Sequence, residues 1–344
     1  MNDDAIRRFR RIGFFTVAAV YFLILVGAIV RASGAGMGCP DWPTCFGRWI
    51  PPTEESQLPP DYQEIYADLG YAETRFNPVK TWTEYINRLT GVSVGLLMLA
   101  TVVCAFPLRK QDPPVFYLTL TALILVMFQG WLGAVVVSSN LHPLMITAHM
   151  LLAIAITALL IYTVARSQKH YFIHLNALIH SPKLEIALWS VLALTLVQIV
   201  LGTQVREAVD TIARTHDYTD RYLWYAELPW VFSVHRGCAF FILCANLWLV
   251  WRFLRILPQH HLMFRLNLAL GLLVLLAVAT GIGMERLGIP PTVQPIHLLV
   301  ANLIFGAQFL LLVSLRFSRS KPAELRYPAE TDVSSAEETP PISH

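Results

Sequence analysis

A chain of 344 residues that is 55% hydrophobic and only 14% charged, with a mean hydropathy of +0.52, is too poor in charge for an ordinary soluble domain. Its net charge of +3 is a membrane-orientation signal and points to no nucleic-acid partner. The apolar residues come in long runs, not in the short alternating segments of a β-barrel, so the fold class is an all-α integral membrane protein.

Eight runs are long enough to span a bilayer, since about 20 residues at 1.5 Å each cross the hydrocarbon. They cover roughly 14–32, 85–106, 115–138, 144–166, 185–206, 229–252, 266–284 and 293–316. "RRFRR" precedes the first, and Arg109 and Lys110 follow the second. Arg166, Lys169 and Lys183 follow the fourth, Arg252, Arg255 and Arg265 the sixth, and Arg316, Arg319 and Lys321 the last. With eight spans these cations share one side, which places both termini in the cytoplasm and the protein in the cell (inner) membrane. No small-residue cleavage pattern follows the first span, which reads as retained. The first outer loop is acidic, with Asp41, Glu54, Glu55, Asp61, Glu64, Asp68 and Glu73.

That loop also holds "GCPDWPTCF". A disulfide between Cys39 and Cys45 suits the oxidising side of the membrane; two free thiols in a structured loop are the alternative. Cys104, Cys238 and Cys244 fall inside spans as packing residues. A short helix over Pro60–Leu69 would lie as a lid on the first half, and the polar, Pro-rich tail from Pro322 reads as disordered.

The chain repeats itself. A shift of 148 residues lays Arg88 on Arg236, Gly133 on Gly281, Pro143 on Pro291, His149 on His297 and Asn87 on His235. The first and fifth spans match at a shift of 175, "GAIVR" on "GTQVR", with Arg31 on Arg206. Four spans per unit give two parallel repeats, hence two four-helix bundles. The expected division is 1–175, with an outer loop at 33–83, then 176–320, then a tail at 321–344.

Asn87, His149, His235 and His297 all fall near the outer ends of their spans. Ionisable or ligating residues in a span are functional by default. His235 and His297, on non-adjacent helices of one unit, are placed to hold a heme iron from both sides. Zinc, the rival metal, wants four ligands, or three plus water, and neither unit offers a cysteine or carboxylate at that depth except Glu84 in the first. Arg31, Arg88, Arg206 and Arg236 are candidate partners for heme propionates; snorkelling to the interface is the alternative for Arg31 and Arg206.

The stretches "GAIVRASGAGMGCPDWPTC", "EYINRLTG", "GAVVVSSNLHPLMITAHMLLA", "FSVHRG" and "IHLLVANLIFGAQF" resemble the heme A synthase family of cytochrome oxidase assembly, over about residues 14–316. The resemblance implies heme b held by His235 and His297, and heme O as substrate in the first half, with a ring methyl oxidised to the formyl of heme A. It implies a catalytic role for Glu84 and a bonded Cys39–Cys45 loop. It also implies heme O synthase as a partner, beside membrane lipid and an unassigned electron donor, and leaves homo-oligomerisation open. Where the family has the first histidine of the N-terminal pair, this chain has Asn87. His149 alone would then hold an iron with one open side, beneath Glu84 and Asn87. His142 is the one alternative sixth ligand, but its repeat partner is Pro290. A diheme electron-transfer protein and a parallel-repeat transporter are the competing readings.

Overall fold

In the computed structural model, residues 3–72, 74–173, 182–216, 219–259 and 261–318 are described. The expected disordered tail and the division near residue 175 lie outside them. Among these residues eight helices are long and apolar enough to cross a membrane. The long helices are α1 (Asp3–Ala32), α3 (Pro78–Ala105), α4 (Pro113–Ser138), α5 (Pro143–Arg166), α7 (Pro182–Thr215), α8 (Trp230–Ile256), α9 (Leu262–Arg286) and α10 (Val293–Ser318). Two short ones, α2 (Tyr62–Ile65) and α6 (Lys169–Ile173), connect them.

The helix starts follow local chemistry. Proline opens α3, α4 and α5, where its missing N–H costs nothing. The Asn77 side chain accepts the Lys80 N–H at 3.1 Å, and His261 Nδ1 accepts that of Met263 at 3.1 Å. The expected helix over Pro60–Leu69 is instead α2 followed by a 3₁₀ turn at Ala67–Leu69, because the backbone leaves helical geometry at Tyr66 (φ −109°, ψ 21°).

Packing closes two rings. α1, α3, α4 and α5 touch in sequence, with α5 returning to α1; α7, α8, α9 and α10 do the same. The rings meet mainly through α10, which packs on α1 and α5. Accordingly, 67% of the apolar window of α10 is buried, against at most 33% for any other span. Buried amides tie the helices of the second ring, with Gln308 donating to Asn246 at 2.8 Å and Asn267 to the Val250 carbonyl at 2.9 Å. Such groups have no water to turn to in lipid.

One turn recurs at the 148-residue spacing. Between α4 and α5, Asn140 (φ 51°) and Leu141 (φ 58°) are left-handed; between α9 and α10, Gly288 (φ 68°) and Ile289 (φ 54°) are too. Leu141 N–H reaches the Val136 carbonyl at 2.9 Å, and Ile289 N–H the Met284 carbonyl at 2.8 Å. These paired turns set the entry of α5 and α10, the helices that carry His149 and His297. The units differ elsewhere. α1 stops at Ala32, whereas α7 continues to Thr215, with Val209, Ile212 and Ala213 buried against Trp224 and Ile289.

Candidate functional site

Four positions share one construction. In each, the residue at a candidate ligand position lies against a glycine of the preceding long helix. A Cβ added at Gly202 would stand 3.3 Å from His235 Cε1, at Gly133 3.4 Å from His149 Cε1, and at Gly281 3.5 Å from His297 Cε1. At Gly27 it would stand 3.7 Å from Asn87 Oδ1. A larger residue at any of the four would take the space the ring or amide occupies. Asn87 is therefore built into the fold as the counterpart of His235, on a glycine bed of the same kind.

The support behind each bed differs. One turn before the glycine, Gln198 donates to the His235 carbonyl at 2.8 Å, and Gln129 to the His149 carbonyl at 2.9 Å. Leu23 and Ala277 hold the corresponding places before Gly27 and Gly281. Instead, Thr280 Oγ1 meets His297 Nδ1 at 2.9 Å. Nδ1 of His149 and of His235, and Oδ1 of Asn87, are buried without a partner. Sequence reasoning had the histidines but not this bedding. The Gln-x-x-x-Gly spacing at 129–133 and 198–202 was the available signal.

Glu84, Arg88 and the outer loop form a second cluster. The structure joins Cys39 and Cys45. Glu84 is 3% exposed; its Oε2 accepts the Cys39 N–H at 2.9 Å and its Oε1 meets Arg88 Nη2 at 2.5 Å. Arg88 also donates to the carbonyls of Asp41 (2.6 Å), Thr44 (2.9 Å) and Cys39 (3.0 Å). Both residues are thus turned into the loop, while Asn87 faces α1. Gly38 is wedged so tightly that a Cβ there would come within 2.4 Å of the Lys80 carbonyl oxygen. Inside the loop, Asp41 accepts the N–H groups of Phe46 and Gly47, and Phe46 sits among the rings of Tyr62, Tyr66, Tyr71 and Phe76. Burial pushes the Tyr71 phenol well above its ordinary pKa, and its neutral hydroxyl donates to the Met37 carbonyl.

The remaining arginines also meet protein partners. Arg31 and Arg206 share Asp210: Arg31 Nη2 lies 2.9 Å from Oδ2 and Arg206 Nη2 2.6 Å from Oδ1. Arg206 further donates to the Arg31 carbonyl at 3.0 Å, while Arg31 Nη1 is buried without a partner. Two cations on one carboxylate leave a positive charge where α1 and α7 meet. Arg236 is exposed at the rim, with Glu285 Oε1 at 3.2 Å and the Tyr225 hydroxyl at 3.1 Å. His142 is exposed at the N-cap of α5.

A family model described as "Cytochrome oxidase assembly protein" (COX15-CtaA) matches residues 10–309. The chain belongs to this family. Among its relatives, a protein named heme A synthase from Shewanella oneidensis is 33% identical over 153 residues, 44% of each chain. The match thus spans under half the length of that relative. Proteins of the same name from Wolbachia pipientis and Nitrosomonas eutropha are each 25% identical. The first match covers 88% of this chain and 96% of the relative, the second 84% and 88%.

Proposed function

We propose that the protein is a heme A synthase, oxidising a ring methyl of heme O to the formyl group of heme A for cytochrome oxidase assembly. The observation that carries the reading is the row of four glycine-bedded positions, three of them histidines, on the diagonal helices of the two rings. Imidazoles set on glycine at the outer ends of helices have the form needed to sandwich a flat macrocycle. No three His, Cys, Asp or Glu side chains converge among the described residues as a zinc site would require. The family match and the relatives' printed name agree with heme as the group handled.

In this reading His235 and His297 would hold heme b, and His149 would hold heme O. The bound hemes supply the redox chemistry, and heme O also brings the methyl group to be oxidised. Asn87 presents a short amide where the second ring has an imidazole, so that side of the first site is left open. Its buried, unpartnered Oδ1 is a polar group that a bound small molecule can satisfy. The Arg31–Asp210–Arg206 group holds an unpartnered guanidinium nitrogen available to a propionate. Glu84 and Arg88 hold the Cys39–Cys45 loop down on α3, which fixes the cover of the first site and makes Glu84 a positioning residue. The protein sits in the cytoplasmic membrane with both termini inside. It receives heme O from heme O synthase, and copies of the chain associating with one another belong to the same reading.

Purification from a host that makes heme O, followed by heme extraction and mass determination, tests the assignment. Heme O or heme A beside heme b is the expected result. Heme b alone, in both halves, would sink it and favour an electron-transfer protein.

A further inference from the structure

The geometry points to Thr280 as a positioning residue that fixes the ring tautomer of His297 and strengthens it as a ligand. This rests on the proposed heme b site.

A threonine hydroxyl has one hydrogen and can accept two more. Thr280 Oγ1 lies 2.8 Å from the Leu276 carbonyl oxygen, 3.0 Å from that of Ala277 and 2.9 Å from His297 Nδ1. The carbonyls can only accept, so the hydroxyl hydrogen is directed to them. Directed at the ring instead, it would leave oxygen lone pairs facing two carbonyl oxygens at contact distance. With the hydrogen so committed, Thr280 faces Nδ1 as an acceptor, and Nδ1 must carry a proton. A neutral imidazole protonated on Nδ1 has its free lone pair on Nε2. That is the atom left to meet a metal, and the Nδ1–H···O bond makes it a stronger donor.

No other ligand position has this device. At the 148-residue shift Thr280 corresponds to Leu132, a buried hydrocarbon with no hydroxyl hydrogen to place. Gln129 bonds the backbone carbonyl of His149, which fixes the helix and not the tautomer, whereas Gln198 bonds the His235 carbonyl and also lies 3.5 Å from the ring Nε2 of His235. Nδ1 of each of those histidines is buried with no partner. His297 is therefore pre-set as a ligand by a hydroxyl on its Nδ1, a contact that neither His149 nor His235 makes.

The test compares wild type with Thr280→Val, which keeps the shape and loses the hydroxyl, and Thr280→Ser, which restores it. Heme retention, the low-spin absorption spectrum and the midpoint potential of the low-spin heme are read on purified protein. Thr280→Val should release heme b roughly 10–100-fold more readily, and any heme retained should show a higher potential. Thr280→Ser should return both toward wild type. Loss of the low-spin signal in Val but not in Ser carries the same conclusion. Wild-type spectrum and potential in Thr280→Val, or equal shifts in Val and Ser, would overturn the inference. Wild type lacking any bis-histidine heme would instead strike the heme b assignment itself, a distinguishable result.

Discussion

Replacing Asn87 by histidine should convert an open site into a closed one. Gly27 leaves room for the larger ring, since a Cβ there would still be 3.7 Å from Asn87 Oδ1, more space than the 3.3 Å that His235 has over Gly202. The imidazole would be tethered beside the iron and would compete with any external ligand. If it closes the site in 99 molecules of 100, apparent affinity for carbon monoxide falls about 100-fold, because binding is scaled by the fraction of open sites. That requires roughly 2.7 kcal/mol, modest for a tethered ligand whose orientation is prearranged. Reduced-minus-carbon-monoxide difference spectra of both proteins read the effect. In wild type, carbon monoxide should perturb one of two heme populations; in Asn87→His it should perturb neither at the same concentration. A wild-type protein whose reduced hemes both ignore carbon monoxide refutes the reasoning. His142, exposed at the helix cap, would have to move to produce that result.

Gly202→Leu should expel the C-terminal heme while leaving the helix content seen by circular dichroism intact. Heme per protein by pyridine hemochrome checks it, and full retention would show that the glycine bed is incidental. His297→Ala should abolish the low-spin heme b spectrum; an unchanged spectrum would remove His297 from the ligand set. Glu84→Ala leaves Arg88, 12% exposed at its side chain, without its carboxylate, at a cost of roughly 3 kcal/mol, the low end for a broken buried pair because three carbonyls still accept from Arg88. The outer loop should open on the order of 100-fold more often, seen as faster reduction of the Cys39–Cys45 bond by an impermeant reductant, with the C-terminal heme unaffected. Asp210→Asn should lower the thermal midpoint in detergent by an amount equivalent to roughly 1–3 kcal/mol, since two arginines lose their shared counter-charge. No change would mean that the tie between α1 and α7 is slack.

The spans were legible because length and hydropathy alone decide what can cross a bilayer, but their ends were not. α1 begins at Asp3 because the basic leader is itself helical, and α7 runs on to Thr215 because "VDTIA" buries Val209, Ile212 and Ala213 on the loop side. The histidines were legible as equal spacings in a repeated chain. The direction of Glu84 was not. At 3.6 residues per turn, Asn87 is rotated about 60° from Glu84 one way and Arg88 about 40° the other. A face that looks single in sequence therefore divides, Glu84 and Arg88 turning to the loop and Asn87 to Gly27. Asp210 was equally invisible: its repeat partner is Ala35, and only folding brings both arginines to it. The departures from the repeat share a direction. Asn87 stands for His235, Leu132 for Thr280, and a long anchored loop for the extension of α7. Each removes a constraint from the first ligand site or adds a cover over it, while the second site keeps both imidazoles and gains a tautomer lock. On the proposed function, this divergence would separate a site that holds its group from one that gives its group access.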